Sequence, residues 1–308
     1  MKSSFQKPKI LVILGATSTG KSDVAVRLAL ACGGEIISAD SRQVYSGLNI
    51  GTGKITHAEM RGIPHHMLDV VSPKKVWSVD EWRKGAQKCI ADILSRGNVP
   101  IVCGGTGFYI QSIVDNLALP EVPPNLALRK KLEKKTAGEL FKLLQKRDPK
   151  RAKTIERGNP ARLIRALEIV DALGAVPFLD RNTSRRENPY DILQIGLALP
   201  PDELRERTHT RLLTRVKKGM IAEAKKLHES GLSWKRMHTL GLEYRYLAEF
   251  LQGIITKPEL IAVLDRQIFQ YTKRQITWFK RDSAIHWFHP RDFAKIEKTT
   301  KKFLNTKK

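Results

Sequence analysis

The stretch Ile10-Leu11-Val12-Ile13-Leu14-Gly15-Ala16-Thr17-Ser18-Thr19-Gly20-Lys21-Ser22 decides the fold. Its five consecutive apolar residues read as a strand buried on both faces, as in a parallel sheet. Gly15–Ser22 then fits the Gly-x-x-x-x-Gly-Lys-Ser/Thr spacing of a phosphate loop. From Lys21 to Ala31 apolar residues recur at helical spacing, with Val24, Ala25, Leu28 and Ala29 on one face. A loop between a strand and a helix N-terminus surrounds an anion with backbone N–H groups and the positive end of the helix dipole. Lys21 adds a point charge, and the Ser22 hydroxyl is placed to bind Mg²⁺. The motif calls for a phosphate ligand without saying which one.

Working outward, Glu35–Ala39 reads as a second short strand ending at Asp40-Ser41, and Ser78–Ser95 as an amphipathic helix. Val99–Cys103 reads as a third strand, stopped by Gly104-Gly105. Such alternation implies right-handed crossovers and a parallel sheet, so the fold class is α/β with a P-loop-type core. Pro120, Pro123 and Pro124 break the pattern. Leu126–Leu173 is then helical and strongly basic with no strand candidate, and Gly174–Tyr190 is a polar loop. Ile192–Leu199 returns to the sheet, helices fill 202–281, and Ala284–Phe288 is a candidate last strand. The expected organisation is a catalytic core from 1–119 and 191–290, an inserted helical basic lobe at 120–190, and a basic tail at 291–308. The lysine-rich tail reads as a frayed or weakly helical end.

Charge points to the class of partner. Lys and Arg number 55 against 31 Asp and Glu, for a net charge of +24. The excess is spread along the chain but rises towards the C-terminus, with 17 basic residues against 9 acidic over 121–190 and 24 against 13 over 191–308. Such a chain attracts phosphate polyanions and gains from counterion release on binding them. Cys32, Cys89 and Cys103 are widely spaced and form no Cys-x-x-Cys pair, which excludes a zinc ribbon and reads as free thiols in a reducing compartment. No signal-peptide core and no apolar run of membrane-spanning length is present, so the expectation is a soluble, cytoplasmic protein without a membrane partner.

The candidate site residues follow from the strand ends. Nucleotide hydrolases hold Mg²⁺ with an Asp after a later apolar strand, but Val99–Cys103 runs into Gly104-Gly105-Thr106-Gly107 with no carboxylate. Asp40 is the one acid so placed in the early sheet. It reads either as a general base beside the phosphate loop or as a cap of the turn Asp40-Ser41-Arg42-Gln43. His65-His66 follow a proline in a loop and read as structural, because no matching ligand set accompanies them. Arg207, Arg211 and Arg215 share one helix face, as a ligand site or a solvated stripe would. Trp278 and Phe279 read as core anchors.

Together the segments Gly15–Ser22, Asp40–Tyr45, Gly51–Lys54, Pro64–Asp69, Gly104–Tyr109, Arg165–Glu168 and Lys273–Phe279 resemble the tRNA dimethylallyltransferases in order and identity, across residues 10–288. With no Cys/His zinc finger at its C-terminal end, the chain is most similar to the bacterial form. The resemblance implies transfer of a dimethylallyl group from dimethylallyl diphosphate to N6 of adenine-37 in the tRNA anticodon arm, with Mg²⁺, by a monomer. It implies that Gly15, Ala16, Thr17, Ser18, Thr19, Gly20, Lys21 and Ser22 bind the diphosphate, with Ser22 on the metal. Asp40, Thr106 and Arg211 are implied as catalytic: Asp40 takes the N6 proton, Thr106 sits at the reaction channel, and Arg211 holds the diphosphate. Asp40, Ser41, Arg42, Gln43, Thr106, Arg162 and Arg165 are implied as tRNA contacts. The rival readings are an adenylate isopentenyltransferase acting on free nucleotide, a small-molecule or nucleotide kinase, and a non-catalytic RNA-binding protein.

Overall fold

The computed structural model describes residues 7–177, 185 and 187–306. The polar loop read over 174–190 therefore lies partly outside the described residues. In chain order the first part comprises β1 (Lys9–Gly15), α1 (Lys21–Cys32), β2 (Gly34–Ala39), α2 (His57–Met60), β3 (His65–His66), α3 (Val79–Ser95), β4 (Val99–Gly104) and α4 (Gly107–Val114). Four helices follow: α5 (Leu126–Leu132), α6 (Ala137–Arg147), α7 (Pro149–Thr154) and α8 (Pro160–Leu173). The chain then forms β5 (Asp191–Leu197), α9 (Pro201–Lys217), α10 (Met220–Glu229), α11 (Trp234–Thr239), α12 (Leu242–Leu251), α13 (Lys257–Phe279), β6 (Ile285–Phe288) and α14 (Phe293–Asn305).

The strands form one six-stranded sheet in the order β3-β2-β4-β1-β5-β6, parallel throughout. β1 is central because its apolar run can be buried on both faces. Ile10, Val12 and Leu14 enter one core, and Leu11 and Ile13 enter the other, the two-residue period of a strand. The first core is covered by α3, α4 and the helices from α9 to α13, the second by α1 and α14. Ser78 opens α3 with a capping box to Glu81, and Thr256 opens α13 with one to Glu259. The indole of Trp82 on α3 donates to Ser38 O at 2.9 Å and stacks on Tyr109 of α4 at 4.5 Å, tying both helices to β2.

Two readings from sequence are corrected. His65-His66 form an edge strand on β2 rather than a loop, with His66 Nε2 2.7 Å from Glu35 Oε2. The tail is not frayed: α14 buries Ile296 completely and packs Phe293, Phe303 and Leu304 against the α1 core. Lys9 Nζ donates to the carbonyls of Phe303 (2.7 Å) and Leu304 (3.0 Å), satisfying acceptors that a helix C-terminus leaves open. The lysines obscure this helix in the sequence because its apolar residues are few, although they fall on one face.

The chain divides into two compact units, Met1–Asn116 with Glu187–Lys308, and Leu117–Arg186. The second has its own core of Leu132, Leu140, Leu144, Leu163 and Leu167. Within it Glu168, its side chain fully buried, is gripped by Arg129 at 2.6 and 2.9 Å and by the Asn125 N–H at 2.9 Å. Burial pushes the Glu168 carboxyl up, but these donors outweigh it and hold the group below its ordinary value.

Candidate active site

The sheet brings the motifs to one edge. In register, Ala39 pairs with Gly104, Gly104 with Leu14, and Gly15 with Leu197, so β2, β4, β1 and β5 end together. The chain passes from β4 on one side of β1 to β5 on the other, the kind of switch point at whose carboxyl ends open α/β sheets bind ligands. The phosphate loop, Asp40 and Gly105-Thr106 all leave the sheet there.

On the phosphate side, Gly20 adopts a left-handed conformation (φ 85°) that turns the loop into α1. Lys21 Nζ donates to Ala16 O at 2.5 Å, and Thr19 Oγ1 donates to the same carbonyl at 2.9 Å. Arg211, from α9, donates through Nη1 to Thr17 Oγ1 and through Nη2 to Gly53 O, both at 3.0 Å. Burial lowers Lys21 to about 8, with Cys103 and Asp40 opposing the shift and Arg211 adding to it. Burial also lowers Arg211, helped by the charge of Arg215. Two cations held at a cost in solvation, with no carboxylate among the described residues paired to either, form a site shaped for an anion. Cys103 is pushed up to about 11 by burial and stays a thiol.

The arginine stripe resolves into three fates. Arg207 pairs with Glu203 at 2.8 Å, Arg211 reaches the loop, and Arg215 bonds Gly51 O at 2.7 Å and Glu243 at 3.0 Å. The segment that receives Arg211 is itself fixed. The Glu223 carboxylate accepts the N–H groups of Asn49 (3.0 Å), Ile50 (2.7 Å) and Gly51 (2.9 Å), together with the Tyr244 hydroxyl (2.6 Å). Glu223 is not legible as a site residue in the sequence, because it reads as one more charge on an amphipathic helix.

On the acceptor side, Asp40 Oδ1 accepts the N–H groups of Arg42 (2.8 Å) and Gln43 (3.3 Å). Asp40 thus caps its turn with one oxygen, which orients the other, so the two readings are compatible. Thr106 N–H donates to Ala39 O at 3.1 Å, and its hydroxyl accepts the Ser41 N–H at 3.0 Å and donates to Ser41 Oγ at 3.4 Å. Gln43 Nε2 lies 3.5 Å from Gly53 O, and Arg42 Nη1 lies 3.4 Å from Thr239 O.

Helix α13 packs along this edge. A Cβ on Gly105 would lie 2.5 Å from Gln275 Nε2, and one on Gly107 would lie 2.3 Å from Trp278 Cδ1. Both glycines are there for close approach. Trp278 is half-buried against Gly107 and edge-on to Phe108 at 6.5 Å, while Phe279 is in the core. Tyr271, one turn before Gln275, is 39% exposed. The motif Lys273–Phe279 is visible in the sequence, but nothing there singles out Gln275 or Tyr271.

In the helical unit the two arginines differ. The Arg162 side chain is 58% exposed and, among the described residues, its only ion pair is with Glu156, at 3.0 Å. Arg165 donates to Val122 O at 2.8 Å and approaches Glu168 at 3.4 Å, bonds internal to the unit. Among the described residues no group of three His, Cys, Asp or Glu is placed to hold a metal, and no helix is long and apolar enough to cross a membrane.

The family model described as IPP transferase matches residues 43–282, and that described as Isopentenyl transferase matches residues 8–73. The chain is 39% identical to the tRNA dimethylallyltransferase of Pelotomaculum thermopropionicum, over 96% of each protein. It is 43% identical to tRNA dimethylallyltransferase 2 of Treponema denticola, over 91% of this chain and 94% of that protein. Among solved structures, it is similar to the tRNA delta(2)-isopentenylpyrophosphate transferase of Staphylococcus epidermidis (TM-score 0.73, 33% identity, 98% of this chain and 100% of that one). It is also similar to a eukaryotic dimethylallyltransferase acting on tRNA (TM-score 0.73, 28% identity, 88% of this chain and 69% of that one).

Proposed function

This chain belongs to the IPP transferase family, and from that premise we propose that it moves the dimethylallyl group of dimethylallyl diphosphate onto N6 of adenine-37, beside the tRNA anticodon. The observation that carries the reading is the meeting, at one sheet edge, of two cations with no carboxylate paired to either among the described residues (Lys21, Arg211) and an acceptor wall (Asp40, Thr106).

An exocyclic adenine amine is a weak nucleophile, so the rate depends on charge leaving with the diphosphate. The loop N–H groups, Lys21 and Arg211 meet the charge that develops as the allylic C1–O bond breaks. As the N6–C1 bond forms, Asp40 takes the N6 proton on the oxygen its turn leaves available, and diphosphate departs. At neutral pH Lys21 still carries its charge, given a value near 8.

The residues fit a Mg²⁺ shared with substrate: the exposed Ser22 hydroxyl follows Lys21 at the start of α1, and Mg²⁺ commonly keeps several waters and borrows phosphate oxygens. When bound, the ion supplies further neutralisation of the diphosphate.

The adenine must leave its stack to reach Asp40. The basic helical unit, with Arg162 outward, grips the anticodon arm, while Ser41, Arg42 and Gln43 meet RNA beside the target base. Arg165 acts there by bracing Arg162's helix rather than by reaching phosphate. The enzyme works as a monomer in the cytoplasm, where its tRNA substrate is found.

The deciding assay offers labelled dimethylallyl diphosphate and Mg²⁺ to unmodified tRNA bearing A36-A37-A38, with AMP in parallel. Label in tRNA alone is the expected result. Label in AMP alone would reassign the chain to free-nucleotide chemistry, and label in neither would end the prenyltransferase reading.

A further inference from the structure

We propose that Gln275 is a positioning residue that locks the diphosphate loop to the Gly105-Thr106 turn, holding leaving group and nucleophile in one register. The proposal rests on the prenyl-transfer reading above.

Gln275 lies on α13, 7% exposed, with Thr272 and Phe279 buried one turn to either side. Both ends of its amide are engaged. Oε1 accepts the Thr17 N–H at 2.9 Å, and Nε2 donates to Gly105 O at 2.8 Å. Because a backbone N–H only donates and a carbonyl only accepts, this pair fixes which way the amide faces. Among side chains of this length, the amide presents donor and acceptor on one planar group at any pH, where a carboxyl does so only when protonated.

Each end leads directly into the chemistry. Thr17 is held at its N–H by Gln275 and at its hydroxyl by Arg211, so one loop residue is gripped twice from outside the loop. Gly105 precedes Thr106, whose hydroxyl receives the Ser41 N–H next to Asp40. The path Thr17–Gln275–Gly105–Thr106–Ser41 therefore joins the diphosphate half to the proton-accepting half, with its hydrogen bonds at 3.0 Å or less. The lack of a Cβ on Gly105 gives the amide its room, since a methyl there would sit 2.5 Å from Nε2. Displacement at the allylic C1 by N6 needs the forming N6–C1 bond and the breaking C1–O bond held in line, and misplacement by an ångström can cost about 10²-fold.

The test uses the full-length enzyme and two variants. Gln275→Met keeps the side chain's length and removes both bonds. We expect a kcat lower by roughly 10–100-fold, the effect of leaving buried partners unsatisfied, a raised KM for dimethylallyl diphosphate, and a KM for tRNA within about twofold. Gln275→Glu keeps the acceptor but can donate to Gly105 O only when protonated, which burial favours. Its activity relative to wild type should rise as pH falls from about 8 to 6. Wild-type kinetics in Gln275→Met, a loss explained entirely by a smaller folded fraction, or a Gln275→Glu pH profile parallel to wild type would each overturn the proposal. Failure of the wild-type enzyme to prenylate tRNA would overturn the function reading instead.

Discussion

Arg211 and Thr17 lie 194 residues apart in the chain, yet the guanidinium of one donates to the hydroxyl of the other at 3.0 Å. That bond puts a planar, always-charged group at the rim of the phosphate loop, and its second donor is anchored on Gly53 O. The geometry is that of a fork with both tines on the protein, and on the proposed reading the Thr17 tine exchanges its hydroxyl for phosphate oxygen.

Arg211→Lys removes the fork while keeping a charge. The expected result is a kcat/KM for dimethylallyl diphosphate lower by roughly 10²-fold, comparable to loss of a pre-aimed transition-state donor, with tRNA affinity unchanged. Steady-state kinetics beside tRNA binding checks it, and equal losses in both would place Arg211 elsewhere.

Asp40 calls for a variant that separates its two duties. Asp40→Asn retains an oxygen for the Arg42 and Gln43 N–H groups but cannot take a proton at neutral pH. Single-turnover transfer should fall by about 10²–10⁴, with thermal stability and tRNA binding close to wild type. A fall that tracks stability would reduce Asp40 to a turn cap.

Lys21 sets a pH limit. Its folded value of about 8 lies below its ordinary 10.5, so carrying the buried charge destabilises the fold below pH 8, and that penalty is relieved between 8 and 10.5. Diphosphate binding needs the charged form. Affinity for dimethylallyl diphosphate should be level below pH 8 and weaken about tenfold per unit above it, with proton uptake on binding. Calorimetry in buffers of different ionisation enthalpy would detect that proton; its absence at pH 9 would exclude Lys21 as the titrating group.

The two lobe arginines should part company. Arg162→Ala should reduce the slope of log K against log salt for tRNA by about 0.7–0.9, one phosphate contact. Arg165→Ala should leave the slope near wild type and lower the melting temperature, because its bonds go to Val122 and Glu168. Reversed results would mean the unit presents a different face to RNA.

Glu35 predicts an acid limb. Hydrogen bonds from Arg96 first, then from His66 and Asn98, outweigh burial and hold its carboxyl at about 2. Its contribution to stability is present above the ordinary 4.5 and lost as pH falls from 4.5 towards 2. Glu35→Gln should be less stable at pH 7 and lose stability less steeply across that window in denaturant titrations.

Much of this site is legible in the amino-acid sequence itself. The phosphate loop declares itself because strand, glycines, lysine and helix are contiguous, so local chemistry suffices. Thr106 enters only through the family resemblance, whereas Asp40 closely follows an apolar run and is legible for the same reason. Gln275 and Glu223 are not, since their meaning lies in backbone groups far away in sequence that only tertiary packing brings near. Arg165, a tRNA contact by resemblance, shows what a motif leaves out: the buried Glu168 and the Val122 carbonyl both bond its guanidinium. The C-terminal helix escapes a sequence reading because charge composition outweighs four well-placed apolar side chains.

The long reach of these contacts also sets an order on synthesis. Thr17 emerges from the ribosome early, but the arginine that grips it comes 194 residues later and the glutamine 258 residues later. β1 likewise waits for β5 to fill its second edge, and Lys9 for the carbonyl of Phe303, 294 residues on. A nascent chain thus carries the loop for most of its translation without the two side chains that grip Thr17, which arrive only with α9 and α13.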